Sequence, residues 1–190
     1  MPSHSLKPLT PLGHFEPQTT AVGKMEIREV VDFSLASITQ RLSQEKQFLK
    51  AAKKAFSAAL PQPGKASVSG SQTIFWTGVD QWFVEAPNAT HEDIAAALAA
   101  DFQDTASITE QTGGWCRLDL EGDQCVDVLQ RLCALDTADM ETHDASRSVI
   151  EHIGVFVLCR EKTKCFSLYG PRSSAGSLHH ALVAAAKSVV

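Results

Sequence analysis

The chain has 190 residues, 44% of them hydrophobic and 21% charged, with a formal net charge of −5. This length supports one domain, or two tightly joined halves, around a sizeable core. The acidic balance argues against nucleic-acid binding, which calls for a broad excess of Lys and Arg on one face, and no stretch approaches the ~20 consecutive apolar residues that span a bilayer.

The opening residues lack the apolar run and small-residue cleavage site of a secretory signal, so a cytoplasmic address is expected. Residues 1–24 carry Pro2, Pro8, Pro11 and Pro17 with little periodicity and read as an extended arm, with a domain over residues 25–190. Met25–Val31 suits a first strand. From Gln44 to Leu60, Phe48, Ala51, Ala52, Ala55, Phe56, Ala59 and Leu60 recur at helical spacing, and Pro61 stops the helix. Lys50, Lys53 and Lys54 occupy its other side, a solvated face rather than an anion site.

Two apolar runs, Thr73–Thr77 and Gln81–Ala86, flank Gly78-Val79-Asp80 and predict a hairpin. Asp80 is expected to bond local backbone amides in the turn. Thr90 and Asp93 resemble a capping box before a helix with Ile94, Ala95 and Leu98 on one face. A second hairpin is expected from Thr105–Gln111 and Trp115–Leu120 around Gly113-Gly114. Cys125, Val128, Leu129, Leu132 and Cys133 then trace an amphipathic stripe. A third hairpin joins Ser148–Arg160 to Lys164–Gly170, and Leu178, Ala181, Leu182, Ala185 and Val189 mark a last helix capped by Ser173 or Ser174. Hairpins alternating with single helices imply an α+β fold, antiparallel sheets with helices packed on their faces.

Little chemistry is concentrated in the chain. Cys116, Cys125, Cys133, Cys159 and Cys165 include no Cys-x-x-Cys pair and suit buried thiols. No glycine-rich turn of the dinucleotide or phosphate-binding kind is present. His179 and His180 are adjacent, which on a helix points them ~100° apart and makes them poor joint metal ligands. No catalytic, cofactor-binding or metal-ligating residue is assigned. Trp76, Trp82 and Trp115 are large aromatics in short hairpins, open to two readings: core packing, or interface anchors with at least one indole exposed.

Several segments in order resemble the gamma-subunit family of heterotetrameric sarcosine oxidase. Leu35-Ala36-Ser37-Ile38 and Ala55–Pro61 (AFSAALP) resemble the family's early helix ending in Leu-Pro. Phe75–Val84 (FWTGVDQWFV) is similar to its most recognisable motif, with Val79 where Pro is common and Gln81 where Glu is common. Ser107–Gly122, Val128–Asp136 and Tyr169–Ala175 resemble its strand-turn-strand, its Leu-Asp helix and the Arg-Ser that opens its last helix. The resemblance spans roughly residues 30–190. It implies a fold related to the folate-binding part of the glycine-cleavage aminomethyltransferase. It also implies a non-catalytic role beside alpha, beta and delta subunits that oxidatively demethylate sarcosine to glycine. FAD, FMN, NAD, tetrahydrofolate and zinc would then belong to those partners and not to this chain. Trp76, Asp80, Trp82, Trp115 and Arg172 stand in the motifs and are the candidate partner-contact or motif residues. Arg172 is expected to fasten the start of the last helix to a carboxylate or backbone carbonyl, and to be a partner contact if it faces water instead. The alternatives are the equivalent subunit of a related amine-oxidising complex, or a separate folate-binding, aminomethyltransferase-like protein.

Overall fold

Alternation shapes the first strands. In β2 (Met25–Val30), Met25 and Ile27 are buried while Glu26 and Arg28 face outward, as a pleated strand over a core requires. The computed structural model describes residues 7–190, so residues 1–6 of the expected arm lie outside the described residues. The rest of that arm does not stay apart from the domain. Its last part is β1 (Thr19–Val22), which pairs with β2 through a Gly23-Lys24 turn, so the boundary expected at residue 25 falls inside a hairpin.

The remaining elements are β3 (Phe33–Gln40), α1 (Glu45–Phe56), β4 (Ala66–Ser69), β5 (Gln72–Gly78), β6 (Gln81–Pro87), α2 (Ile94–Phe102), β7 (Ala106–Glu110), β8 (Trp115–Glu121), α3 (Cys125–Leu132), β9 (Ala145–Ile150), β10 (Ile153–Glu161), β11 (Cys165–Pro171) and α4 (Ala175–Val189). They build two antiparallel sheets, one of six strands in the order β1-β2-β8-β11-β10-β9 and one of five in the order β4-β5-β6-β3-β7. The α+β expectation holds. The sheets lie face to face with the helices outside. Phe48, Ala52 and Phe56 of α1 and Ile94, Leu98 and Phe102 of α2 pack on Ala36, Ile38, Ile74 and Val84 of the five-stranded sheet. Val128 and Leu129 of α3 and Leu178, Ala181 and Leu182 of α4 cover Leu118, Val157, Phe166 and Leu168 of the other. Between the sheets sits an aromatic layer that includes Phe33, Phe75, Phe83, Phe156 and Tyr169.

Four expectations need correction. Leu35–Ile38 lie not in a helix but in β3, buried on both faces between β6 and β7. The segments around Gly113-Gly114 do not pair with each other: β7 joins β3 in one sheet, whereas β8 pairs with β2 and β11 in the other. Residues 111–114 therefore carry the chain across from sheet to sheet. Ser148–Arg160 is two strands, β9 and β10, folded at Glu151 and His152, both at positive φ. The caps also differ. Asp93, not Thr90, accepts the Ala96 amide at 3.0 Å, and Ser174 precedes α4 without a side-chain cap bond.

Cys116, Cys125 and Cys159 are fully buried, whereas Cys133 and Cys165 are half-buried, short of the buried thiols expected of all five. Burial pushes the Cys116 thiol up to about 11, Cys125 to about 12 and Cys159 to about 11, from an ordinary value of 9.0. An unfolded thiol therefore releases its proton at lower pH than a folded one. The stability tied to these groups is full below pH 9.0 and is lost as pH rises toward 11 to 12. Urea midpoints should fall steeply above pH 9.0, and less so in Cys125→Ala relative to its own neutral-pH value. A native-state titration showing these thiolates forming near 9.0 would contradict the assignment.

Candidate functional site

Hairpin β5–β6 is the best-defined feature that the sequence singled out. Trp76 pairs across it with Trp82 and Gly78 with Gln81, leaving Val79 and Asp80 as the turn and a bulge between Trp76 and Gly78. Asp80 takes the left-handed conformation, φ 55, which Asp tolerates better than most residues. Its carbonyl accepts the Gln40 amide at 3.0 Å. The expected side-chain bond to local amides is absent: the carboxylate is exposed and reaches no donor among the described residues.

None of the three tryptophans is exposed; each is half-buried. Trp82 stacks on Phe48, ring centroids 5.6 Å apart, and donates its indole N–H to the Pro61 carbonyl at 2.9 Å. Trp115 turns into the space between the sheets, its centroid 5.3 Å from Phe83 and 5.4 Å from Phe156, and donates to Gln111 Oε1 at 3.0 Å. A large indole gains most by burying its ring while its N–H finds an acceptor, and both residues do so within the fold. Trp76 and Trp82 instead form one wall of a cleft of about 300 Å³, with Pro61 and Pro63 along it and Leu49, Val79 and Asp80 at its edges. Leu49 is 55% exposed and Val79 is 87% exposed. Lys46, Leu49, Lys50 and Lys53 share one face of α1 by their spacing, so the cleft has a basic shoulder on the helix side and Asp80 at the turn.

The five candidates thus separate. Trp76, Asp80 and Trp82 meet at one cleft, while Trp115 lies between the sheets. Arg172 stands in the short 3-10 turn before α4, where its guanidinium donates to the Leu9 carbonyl and its amide donates to Gly114 O at 2.9 Å. It fastens the start of the last helix to a backbone carbonyl, as expected, and ties the N-terminal segment to the same point.

Sequence reasoning missed an ion network between the sheets. Arg117 on β8 binds Asp119 through Nε at 2.8 Å and Nη2 at 2.7 Å, and Glu85 through Nη1 at 3.1 Å. Arg160 on β10 donates to Glu85 Oε1 at 2.9 Å, Ser167 Oγ at 2.9 Å and Thr73 Oγ1 at 3.1 Å. Tyr169 donates to Glu85 Oε2 at 2.5 Å and Ser167 to Asp119 Oδ1 at 2.6 Å. Burial opposes the Arg117 charge, yet the acceptors around it (Tyr169, Glu85 and Asp119) more than offset this and raise its pKa. Burial, aided by Glu85, holds Tyr169 far above its usual range, so the phenol stays neutral. The signal was there: Glu85, Arg117, Asp119 and Arg160 sit within otherwise apolar strands. Each charge of the network is answered within it, and Glu85, bonded to Arg117, Arg160 and Tyr169, bridges the sheets. Buried Glu29 accepts the Leu12 and Gln18 amides instead.

His179 Nε2 lies 3.0 Å from Thr20 Oγ1, and burial lowers its pKa. Among the described residues no three His, Cys, Asp or Glu side chains come together in a way that would hold a metal ion. No described helix is long and apolar enough to cross a membrane.

This arrangement defines an antiparallel α+β sandwich, two facing sheets with a helix pair outside each, and solved structures share it. The sequence matches no protein-family model and no curated protein. A chain of the heterotetrameric sarcosine oxidase from Corynebacterium sp. U-96, solved in complex with pyrrole 2-carboxylate, superposes with a TM-score of 0.75 at 18% identity, over 86% of this chain and 84% of that one. The glycine cleavage system aminomethyltransferase T from Bartonella henselae superposes with a TM-score of 0.62 at 14% identity, over 82% of this chain but 44% of that one. The fold expected from the sequence is the fold of these two proteins.

Proposed function

We propose that the chain is the small, non-catalytic gamma subunit of a heterotetrameric sarcosine oxidase. It would buttress alpha and beta subunits that demethylate sarcosine to glycine, alongside a delta subunit. The observation that carries this reading is the near full-length correspondence with a chain of such an enzyme, 86% of one and 84% of the other. The aminomethyltransferase neighbour is matched over 44% of its own length. The chain's own polar groups agree with an accessory role: among the described residues Glu85 is bonded to Arg117 and Arg160 of the facing sheet, and Asp119 to Arg117. FAD, FMN, NAD, tetrahydrofolate and zinc would reside on the partners. Contact with them would use the Trp76–Trp82 cleft, with Leu49 and Val79 as its exposed apolar edges.

Purification of the tagged full chain from its own cells tests this. The expected result is constant-ratio recovery with larger flavin-bearing chains and sarcosine-dependent oxygen consumption, while the chain expressed alone is colourless and inactive. Recovery alone from cells that are oxidising sarcosine, or flavin-dependent oxidation by the isolated chain, would overturn it.

A further inference from the structure

A second cleft, of about 250 Å³, opens at the edge of the inter-sheet layer and plays no part in the assembly argued above. Its apolar wall is Phe83, Trp115 and Phe156, three rings already packed on one another. Arg147 of β9 lies over Phe156, its guanidinium carbon 6.0 Å from the ring centroid. Every other arginine between the sheets is paired with a carboxylate, but Arg147 forms no ion pair and no side-chain hydrogen bond among the described residues. None of the residues lining this cleft is acidic.

We infer that this cleft binds a small aromatic carboxylate. The sign follows from the cation: a planar guanidinium whose N–H groups meet no acceptor among the described residues takes a carboxylate through two parallel hydrogen bonds. The aromatic part follows from the wall, since three rings offer edge and face contacts to a fourth. The size follows from the volume, which lies below the ~300 Å³ at which sites for drug-sized ligands begin, so the ligand has one or two rings. Gln81, on the cleft wall, supplies a partner for a polar ring substituent remote from the carboxylate.

The test uses the full chain with benzoate, 4-hydroxybenzoate and the uncharged 4-hydroxybenzamide, followed by nuclear magnetic resonance. Saturable shifts of the Trp115 indole N–H are expected with both acids at millimolar concentration or below, and not with the amide. Arg147→Met, at an exposed position, should weaken both acids at least tenfold. Gln81→Leu should bring 4-hydroxybenzoate down to the affinity of benzoate and leave benzoate unchanged. Gly154→Val should abolish binding without disturbing the fold, because a Cβ there meets only Arg147 Nη2, at 3.8 Å. Absence of saturable shifts, or binding that Arg147→Met leaves intact, would overturn the assignment. Equal affinity of the two acids for the parent chain would overturn the contact assigned to Gln81.

Discussion

Asp119→Ala is expected to lower the unfolding free energy by about 3–5 kcal/mol, the usual cost of removing one partner from a buried ion pair. Asp119 is 2% exposed and accepts from Arg117 twice, from Ser167 and from Arg28. Of these, the Arg28 contact contributes least, because the Arg28 side chain is 49% exposed and solvent screens it. Loss of the carboxylate leaves Arg117 facing Arg160 with Glu85 as the only carboxylate between them. Urea denaturation measures the effect directly. The double replacement Asp119→Leu with Arg117→Met should recover a large part of it, because neither ion then has to be desolvated. If Asp119→Ala unfolds within about 1 kcal/mol of the parent, a value typical of an average substitution, Asp119 does not hold Arg117 within the network as described.

That network shows why part of the fold was hidden in the sequence. The stripes Phe48-Ala52-Phe56 and Val128-Leu129 are local, and a period of 3.6 records them whatever the rest of the chain does. The hairpin β5–β6 is equally local, since its turn residues sit between its strands. Strand β3 is different. It lies between two covered faces, so Ser34 and Ser37 are buried as deeply as Leu35 and Ile38, and no polar face remains to mark alternation. Ser34 is satisfied by Asn88 and Ser37 by Gln111, partners that no nearby residue announces.

The crossover after β7 was misread for a related reason. Gly113-Gly114 between two strand-like runs has the composition of a hairpin turn. Which strand pairs with which is decided by distant surfaces: Leu35 O accepts the Gln111 amide, and Gly114 O accepts the Arg172 amide. In β8, alternation alone does not distinguish a face toward water from a face toward a second sheet. The cleft at Trp76 and Trp82 was half legible. Its hairpin wall is one contiguous motif, but Leu49, Pro61 and Pro63 are brought to it by the packing of α1.

Trp82→Ala and Leu49→Gln separate stability from assembly at that cleft. Trp82 is expected to belong mainly to the fold, because its ring stacks on Phe48 beneath α1 and its N–H satisfies the Pro61 carbonyl. Truncation removes the ring, opens a void against Phe48 and strips Pro61 of that donor, so a loss of about 3–5 kcal/mol is expected in the isolated chain. Leu49 is 55% exposed and lies on the outer face of α1. Gln is nearly as good a helix former as Leu, so the free chain should unfold within about 0.5 kcal/mol of the parent. If the cleft receives a partner, the same change strips an apolar edge from the interface and should weaken capture of that partner by about 2 kcal/mol, the scale of an interface hot spot. Val79→Ser, at the opposite edge and 87% exposed, should behave in the same way. The measurements are urea midpoints of the free chain and affinity for the copurifying chains, taken on the same preparations. A Trp82→Ala chain that unfolds like the parent would show that the indole does not hold α1 on the sheet. Unchanged partner affinity in both Leu49→Gln and Val79→Ser would move the contact surface elsewhere on the chain.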